Sequence, residues 1–113
     1  MTTAPAFNSG TGRRKTAVAR ARLLPGEGEN VINCRSFVKH FGAAIDEAEV
    51  RMPFRVTNTD GRYNAMIKVE GGGVNGQAGA VRHAIARALL DIDEGHRLVL
   101  RKEGLLTRDP RMK

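Results

Sequence analysis

Tryptophan is absent from this 113-residue chain, and four phenylalanines and one tyrosine are its only aromatic side chains. Ala, Val, Ile and Leu must therefore build the core, with Phe37, Phe41, Phe54 and Tyr63 as the few large fillers. Cysteine is nearly absent too. Cys34 stands alone, which excludes an intrachain disulfide or a cysteine zinc site and fits a reducing compartment. It follows "VIN" and reads as a small hydrophobe buried with a strand rather than as a nucleophile. His40, His83 and His96 have no metal-ligand spacing, so neither a metal nor a cofactor is expected. No apolar run approaches the ~18 residues of a membrane span. No apolar h-region marks the N-terminus, which argues against secretion and for the cytoplasm.

Acidic residues are in the minority. Twelve Asp and Glu face 19 Lys and Arg, giving a net charge of +7 and a pI near 10.5. A surface this positive attracts nucleic acid or anionic membranes. Most of the cations are Arg, whose planar fork suits phosphates and base edges. A membrane-surface reading lacks the amphipathic basic helix with large apolar anchors that it needs. The length suits one domain with a modest core.

Residues 1–12 are small, polar and without periodicity, and read as a flexible extension that orders only against a partner. "KTAVARARLL" alternates: Ala17, Ala19, Ala21 and Leu23 fall on one face, and Val18, Arg20 and Arg22 on the other. That is a strand ended by Pro25-Gly26, with an alanine row that lets a helix come close. "VINCRSF" reads as a second strand paired with the first in a hairpin. Ser36 is placed to cap a short helix, "FVKHF", closed by Gly42. Residues 43–51 form another helical candidate, interrupted at Pro53. The stretch 53–58 reads as a strand or, alternatively, a helical turn. A turn at Asp60-Gly61 precedes a long strand from Tyr63 to Val69. Past Gln77 the period becomes helical, with Ala78, Val81, Ile85, Ala88 and Leu89 on one stripe and His83, Arg87 and Asp91 opposite. A last helix, 93–103, ends at Gly104.

Between that strand and that helix lies "VEGGGVNGQAG". Gly71, Gly73 and Gly76 spell GxGxxG, and Asp91 follows at about the 20-residue spacing of a dinucleotide site. A Rossmann reading, however, needs a second parallel strand carrying the acid, and helical sequence follows instead. A phosphate P-loop needs Lys then Ser or Thr after the last glycine, where Gln77 stands. A small enzyme using the 71–77 loop on a nucleotide phosphate is the alternative reading, but it lacks a metal-binding carboxylate and a base beside the loop. Asp46, Glu47 and Glu49 read as a solvated helix face. What survives is an anion site. Glycines such as Gly73 admit close approach and positive φ, a helix N-terminus offers free amides, and Arg82, His83 and Arg87 sit on the first turns behind them. A polyphosphate backbone such as RNA fits this surface without catalytic residues.

"GTGRRKTAVARARLLPG", "GGGVNGQAGAVRHAIARALL" and "GLLTRDPRMK", in this order, closely resemble small-subunit ribosomal protein S-nine of bacteria and organelles, over nearly everything after Thr11. The resemblance implies an α/β two-layer sandwich with a mixed four-stranded sheet and helices on one face, as in the second domain of ribosomal protein S-five. It implies a structural, non-enzymatic role in the head of the small ribosomal subunit, with 16S-type ribosomal RNA and neighbouring ribosomal proteins as partners. By matching motifs, RNA contact carries over to Arg13, Arg14 and Lys15, to Gly72, Gly73, Asn75, Gly76 and Gln77, and to Arg82 and His83. Arg20, Arg22 and Arg87 join them as basic residues of the same motifs. Arg108, Arg111 and Lys113 match the start of a basic C-terminal arm over 105–113, which leaves 13–104 as the RNA-binding domain. Members of that family continue in a long basic tail that touches the P-site transfer RNA, and the chain is expected to lack this tail.

Overall fold

The computed structural model describes residues 8–14, 16–42 and 45–102. Five strands form one mixed sheet: β1 (Asn8–Arg14), β2 (Ala17–Pro25), β3 (Asn30–Ile32), β4 (Arg35–Ser36) and β5 (Tyr63–Glu70), in the order β1-β2-β5-β3-β4. The β1/β2, β2/β5 and β3/β4 pairs are antiparallel, and β3/β5 is parallel. The helices are α1 (Phe37–Phe41), α2 (Glu47–Val50), α3 (Met52–Val56), α4 (Val74–Ile92) and α5 (Arg97–Lys102), with a 3-10 turn at Glu94–His96 before the last. The α/β two-layer fold is the expected one. The sheet has five strands rather than four.

The alanine row works as its spacing suggests. Ala17, Ala19 and Ala21 are fully buried, and Leu23 nearly so, beneath α4. From β5, Ala65, Ile67 and Val69 face the same core. Val81, Ile85 and Leu89 of α4 fill it, each contributing about 1.5–3 kcal/mol by burial. The buried face of α4 is wider than the expected stripe, because Ala80, Ala84 and Ala86 are also fully buried.

The reason is β1. Asn8–Gly12, read from composition as part of a flexible extension, pair with Ala19–Leu23 of β2, Asn8 lying opposite Leu23 and Gly12 opposite Ala19. Gly10 and Gly12 point at α4. A β-carbon on Gly10 would fall 2.6 Å from the Ala84 carbonyl oxygen and 2.8 Å from the Arg87 carbonyl carbon. On Gly12 it would overlap Ala80 O and Ala84 N. Strand and helix thus meet backbone to backbone. The glycines that made this segment look unstructured are what the packing requires.

"VINCRSF" is not one strand, and it does not pair with β2. β5 lies between them, and Asn33 and Cys34 turn the chain through left-handed conformations (φ 52° and 67°) into a tight β3–β4 hairpin. Cys34 is consequently exposed at the turn, not buried in a strand. Asn33 extends the sheet with its side chain: Nδ2 donates to Val69 O at 3.0 Å, and Val69 N donates to Oδ1 at 2.9 Å. The β2–β3 loop is held by Asn64, whose Oδ1 accepts from the amides of Glu27, Gly28 and Glu29 at 3.0, 3.1 and 3.0 Å.

Ser36 caps α1 as expected, its Oγ accepting from Lys39 N at 3.3 Å, and Gly42 ends it at φ 63°. Asp46 caps α2, accepting from Ala48 N at 3.0 Å. The stretch after it is helical: Pro53 sits in the first turn of α3, where its missing N–H costs nothing. The expected last helix is a 3-10 turn followed by α5, and Gly104 lies outside the described residues.

Gly12→Val is expected to lower the unfolding free energy by at least about 1–3 kcal/mol, because no rotamer change can clear helix backbone; a urea titration followed by circular dichroism measures it. Cys34→Gly is expected to stabilise by about 0.5–1 kcal/mol, since glycine removes the left-handed strain at a moderate entropic cost. A rise in melting temperature checks this.

Candidate nucleic-acid interface

At the end of β5 the chain reverses through Gly71 and Gly72, at φ 77° and 67°. A β-carbon on Gly71 would sit 2.6 Å from Thr16 O, so the turn is pressed against the β1–β2 connection. Gly73 behaves otherwise than expected. Its backbone is extended (φ −97°, ψ −175°), and a β-carbon there would meet nothing within 4 Å. The left-handed constraint therefore falls on Gly71 and Gly72. A β-carbon at Gly76 would make only ordinary contacts, 3.5 Å from Arg14 O.

Gly73 is the N-cap of α4 and offers no side-chain bond to the helix amides. The first backbone N–H groups of a helix have no intrahelical acceptor, and over a 19-residue helix they carry the positive end of its dipole. Residues 71–75 are exposed, so this end faces outward. Gln77 secures the approach to it. Its Nε2 donates to Gly71 O at 3.1 Å, while its Oε1 lies 3.0 Å from His40 Nε2 of α1. With both ends of its amide engaged, Gln77 holds the glycine turn in place.

Two arginines flank the helix start. The stem of Arg14 crosses Gly79, where a β-carbon would lie 3.0 Å from Arg14 Cγ. Arg82, one helical turn further on, is half-buried, and its Nη1 lies 3.8 Å from Glu49 Oε2. That is a long, solvent-facing pair of little strength. Arg14, Arg82, Asn75, Ile45 and Glu49 line a cleft of about 250 Å³. One position round the helix, half-buried His83 leans on the edge of the sheet, where Arg13 N donates to its Nδ1 at 3.4 Å. Arg13, His83 and Arg87 border a wider groove of about 920 Å³ along the outer edge of β1, which Asp91 also lines.

The sequence-derived candidates thus divide. Arg14, Asn75, Arg82 and the glycine turn gather at the N-terminal end of α4. Arg13, His83 and Arg87 follow the β1 edge. Arg20 and Arg22 belong to neither group: they point away from the core on the other side of the sheet, where Arg20 lies opposite Thr11 and Lys68, and Arg22 opposite Ser9 and Met66. Lys68 was missed by reasoning from motifs, although the alternation of 63–69 already set it on the outward face with Met66. Lys15, Arg108, Arg111 and Lys113 lie outside the described residues.

Among the described residues no helix is long and apolar enough to cross a membrane, and no three His, Cys, Asp or Glu side chains converge as metal ligands would. The arrangement offers amide donors, a helix dipole and guanidinium groups: chemistry for holding a polyanion. The family model of ribosomal protein S9/S16 matches residues 12–113, from the second glycine of the β1 "GTGRR" motif through the basic C-terminal segment. Its members are structural, non-enzymatic, ribosome-associated proteins that bind small-subunit ribosomal RNA beside other ribosomal proteins. Matched over nine-tenths of its length, the chain belongs to the ribosomal protein S9/S16 family.

Proposed function

We propose that this chain is an S9-type protein of the cytoplasmic ribosome, seated on 16S-type ribosomal RNA in the head of the small subunit, near the P-site transfer RNA. The observation that carries this reading is the order of the three long motifs within the single family match over 12–113. The RNA backbone is held at the start of α4. Amides of residues 74–76 donate to phosphate oxygens, Gly73 leaves room for the RNA backbone to come close beside the turn at Gly72, and the forks of Arg14 and Arg82 close on the same segment. Arg13, His83 and Arg87 extend the contact along the β1 edge, and Lys15 joins the RNA contact. Residues 13–104 are the RNA-binding domain, and Arg108, Arg111 and Lys113 of the basic segment 105–113 add further RNA contacts.

No bond is made or broken in this role. A rigid sandwich presents fixed charge, and the RNA gains a defined path by binding to it. Cys34 supplies the test, because it is the only cysteine and is exposed. A hydroxyl-radical source tethered to it, in reconstituted small subunits, is expected to cleave ribosomal RNA of the head. Cleavage confined to the body of the subunit would overturn the placement.

Arg82→Ala is expected to weaken RNA binding by about 1–3 kcal/mol, with the melting temperature nearly unchanged, since its ion pair to Glu49 is weak. The slope of log K against log salt should fall in magnitude by about 0.9, the share of one phosphate. The glycines separate differently. Gly73→Ala has both space and an ordinary φ, so it should fold like the parent, and a loss of RNA binding would register RNA backbone against that position. Gly72→Val, at φ 67° and against Ala17, is expected to lower the melting temperature as well. Equal binding by Gly73→Ala and the parent would restrict the contact to Gly72 and the helix amides.

A further inference from the structure

Helix α4 covers one face of the sheet. The opposite face is open: Arg20, Arg22, Met66 and Lys68 are all exposed there. On it Arg20 stands directly opposite Lys68 in the β2/β5 register. Like charges in directly opposed cross-strand positions destabilise a sheet. Among the described residues no carboxylate pairs with either of them. Arg22 lies two residues along the same face, so the cations are spaced roughly 5 Å across the strands and 7 Å along them. The folded protein alone has no use for this arrangement. A bound polyanion removes the repulsion.

We propose that this open face is a second RNA-docking surface, which seats a duplex backbone on Arg20, Arg22 and Lys68, so that one molecule holds two RNA segments on opposite sides of its sheet. The inference rests on the RNA-binding reading of the α4 end. It uses none of the cations of that site: the α4 end and this face lie on opposite sides of the sheet, with Ser9 and Thr11 of β1 bordering both this face and the outer-edge groove.

The chemistry selects the occupant. Modules that read single strands stack bases on aromatic side chains, and the outward positions of β1, β2 and β5 carry Ser9, Thr11, Val18, Leu24, Asn64, Met66, the cations and, opposite Val18, the lone carboxylate Glu70, but no described Phe or Trp. A duplex presents phosphates and asks for no stacking. A protein partner asks for an apolar centre. Here Arg20, Arg22 and Lys68 line a shallow hollow of about 510 Å³ together with Val31 and Met66, and among the described residues Met66 is the one exposed large hydrophobic on the face.

The test uses the full chain and a short RNA duplex supplied in two batches, one carrying a donor dye and one an acceptor. The parent is expected to bind two duplexes by sedimentation and to bring donor and acceptor together. Arg20→Thr with Lys68→Thr, which keeps strand-forming residues, is expected to bind one, to lose energy transfer and to flatten the salt slope by about 1.8, two phosphates at ~0.9 each. Its melting temperature should rise as the repulsion goes. Arg82→Ala, which weakens the other surface, should keep the sheet-face site. If the double variant retains the parent's stoichiometry and salt slope, the sheet face holds no RNA and the α4 site stands alone. A lowered melting temperature in the double variant would overturn the like-charge premise. A parent that binds no duplex at all would overturn both readings together, and capture of an acidic protein by this face in place of RNA would overturn this one only.

Discussion

Everything in this molecule depends on how closely one strand can lie against one helix. β1 reaches α4 because Gly10 and Gly12 have no side chains and Ala80, Ala84 and Ala88 have small ones. A helix at that distance pulls its flank down over the sheet edge. His83 can then touch the backbone of Arg13, and Arg14 can run across Gly79. The N-terminal end of α4 is fixed at the same stroke, pinned from the other side by the glycine turn and by Gln77. Residues far apart in sequence become one basic surface because the seam between strand and helix is thin.

Charge is distributed with a division of labour. The acidic residues Glu47 and Asp60 gather round Arg51 on the α2–α3 side, where Nη1 of Arg51 lies 2.8 Å from Asp60 and Nε 3.4 Å from Glu47. Arg51 also donates to Gly28 O, which ties loop 26–29 to the helices. Arg13, Arg14, Arg20 and Lys68 are exposed at the α4 end, the β1 edge and the sheet's outer face. The charge pairs round Arg51 and these exposed cations thus occupy different regions of a chain with net charge +7.

Much of this could be read before any coordinates. Periodicity placed β2, β5 and α4, since each alternates or repeats strongly enough to outweigh local ambiguity. The helix at 37–41 followed from a cap and a terminating glycine. What failed did so for identifiable reasons. β1 is rich in glycine for a tertiary purpose, and composition alone mistakes that for looseness. Cys34 was assigned to a strand because Val31 and Ile32 are strand formers, yet Asn33 is suited to the left-handed turn that follows them. The hairpin between β2 and β3 was a rule of adjacency, and β5, arriving from thirty residues later, took the position between them. The glycine motif marked the strand-to-helix turn but put the conformational demand on Gly73, when Gly71 and Gly72 bear it. Lys68 was passed over because it belongs to a face, not to a motif.

The position of β5 also sets the order in which the chain can become a protein. β2 pairs on one side with β1, which immediately precedes it, but its other neighbour comes from residues 63–70, and the contact between Arg13 and His83 spans 70 positions. Contacts that close such long loops form late and slow folding. During synthesis from the N-terminus, the β1–β2 pair therefore waits with one edge of β2 unpaired and its alanine row uncovered until α4 has been made. Nearly the whole chain must exist before any of its core does, and α4, the element whose N-terminal end is the proposed anion site, is also the one that closes the fold.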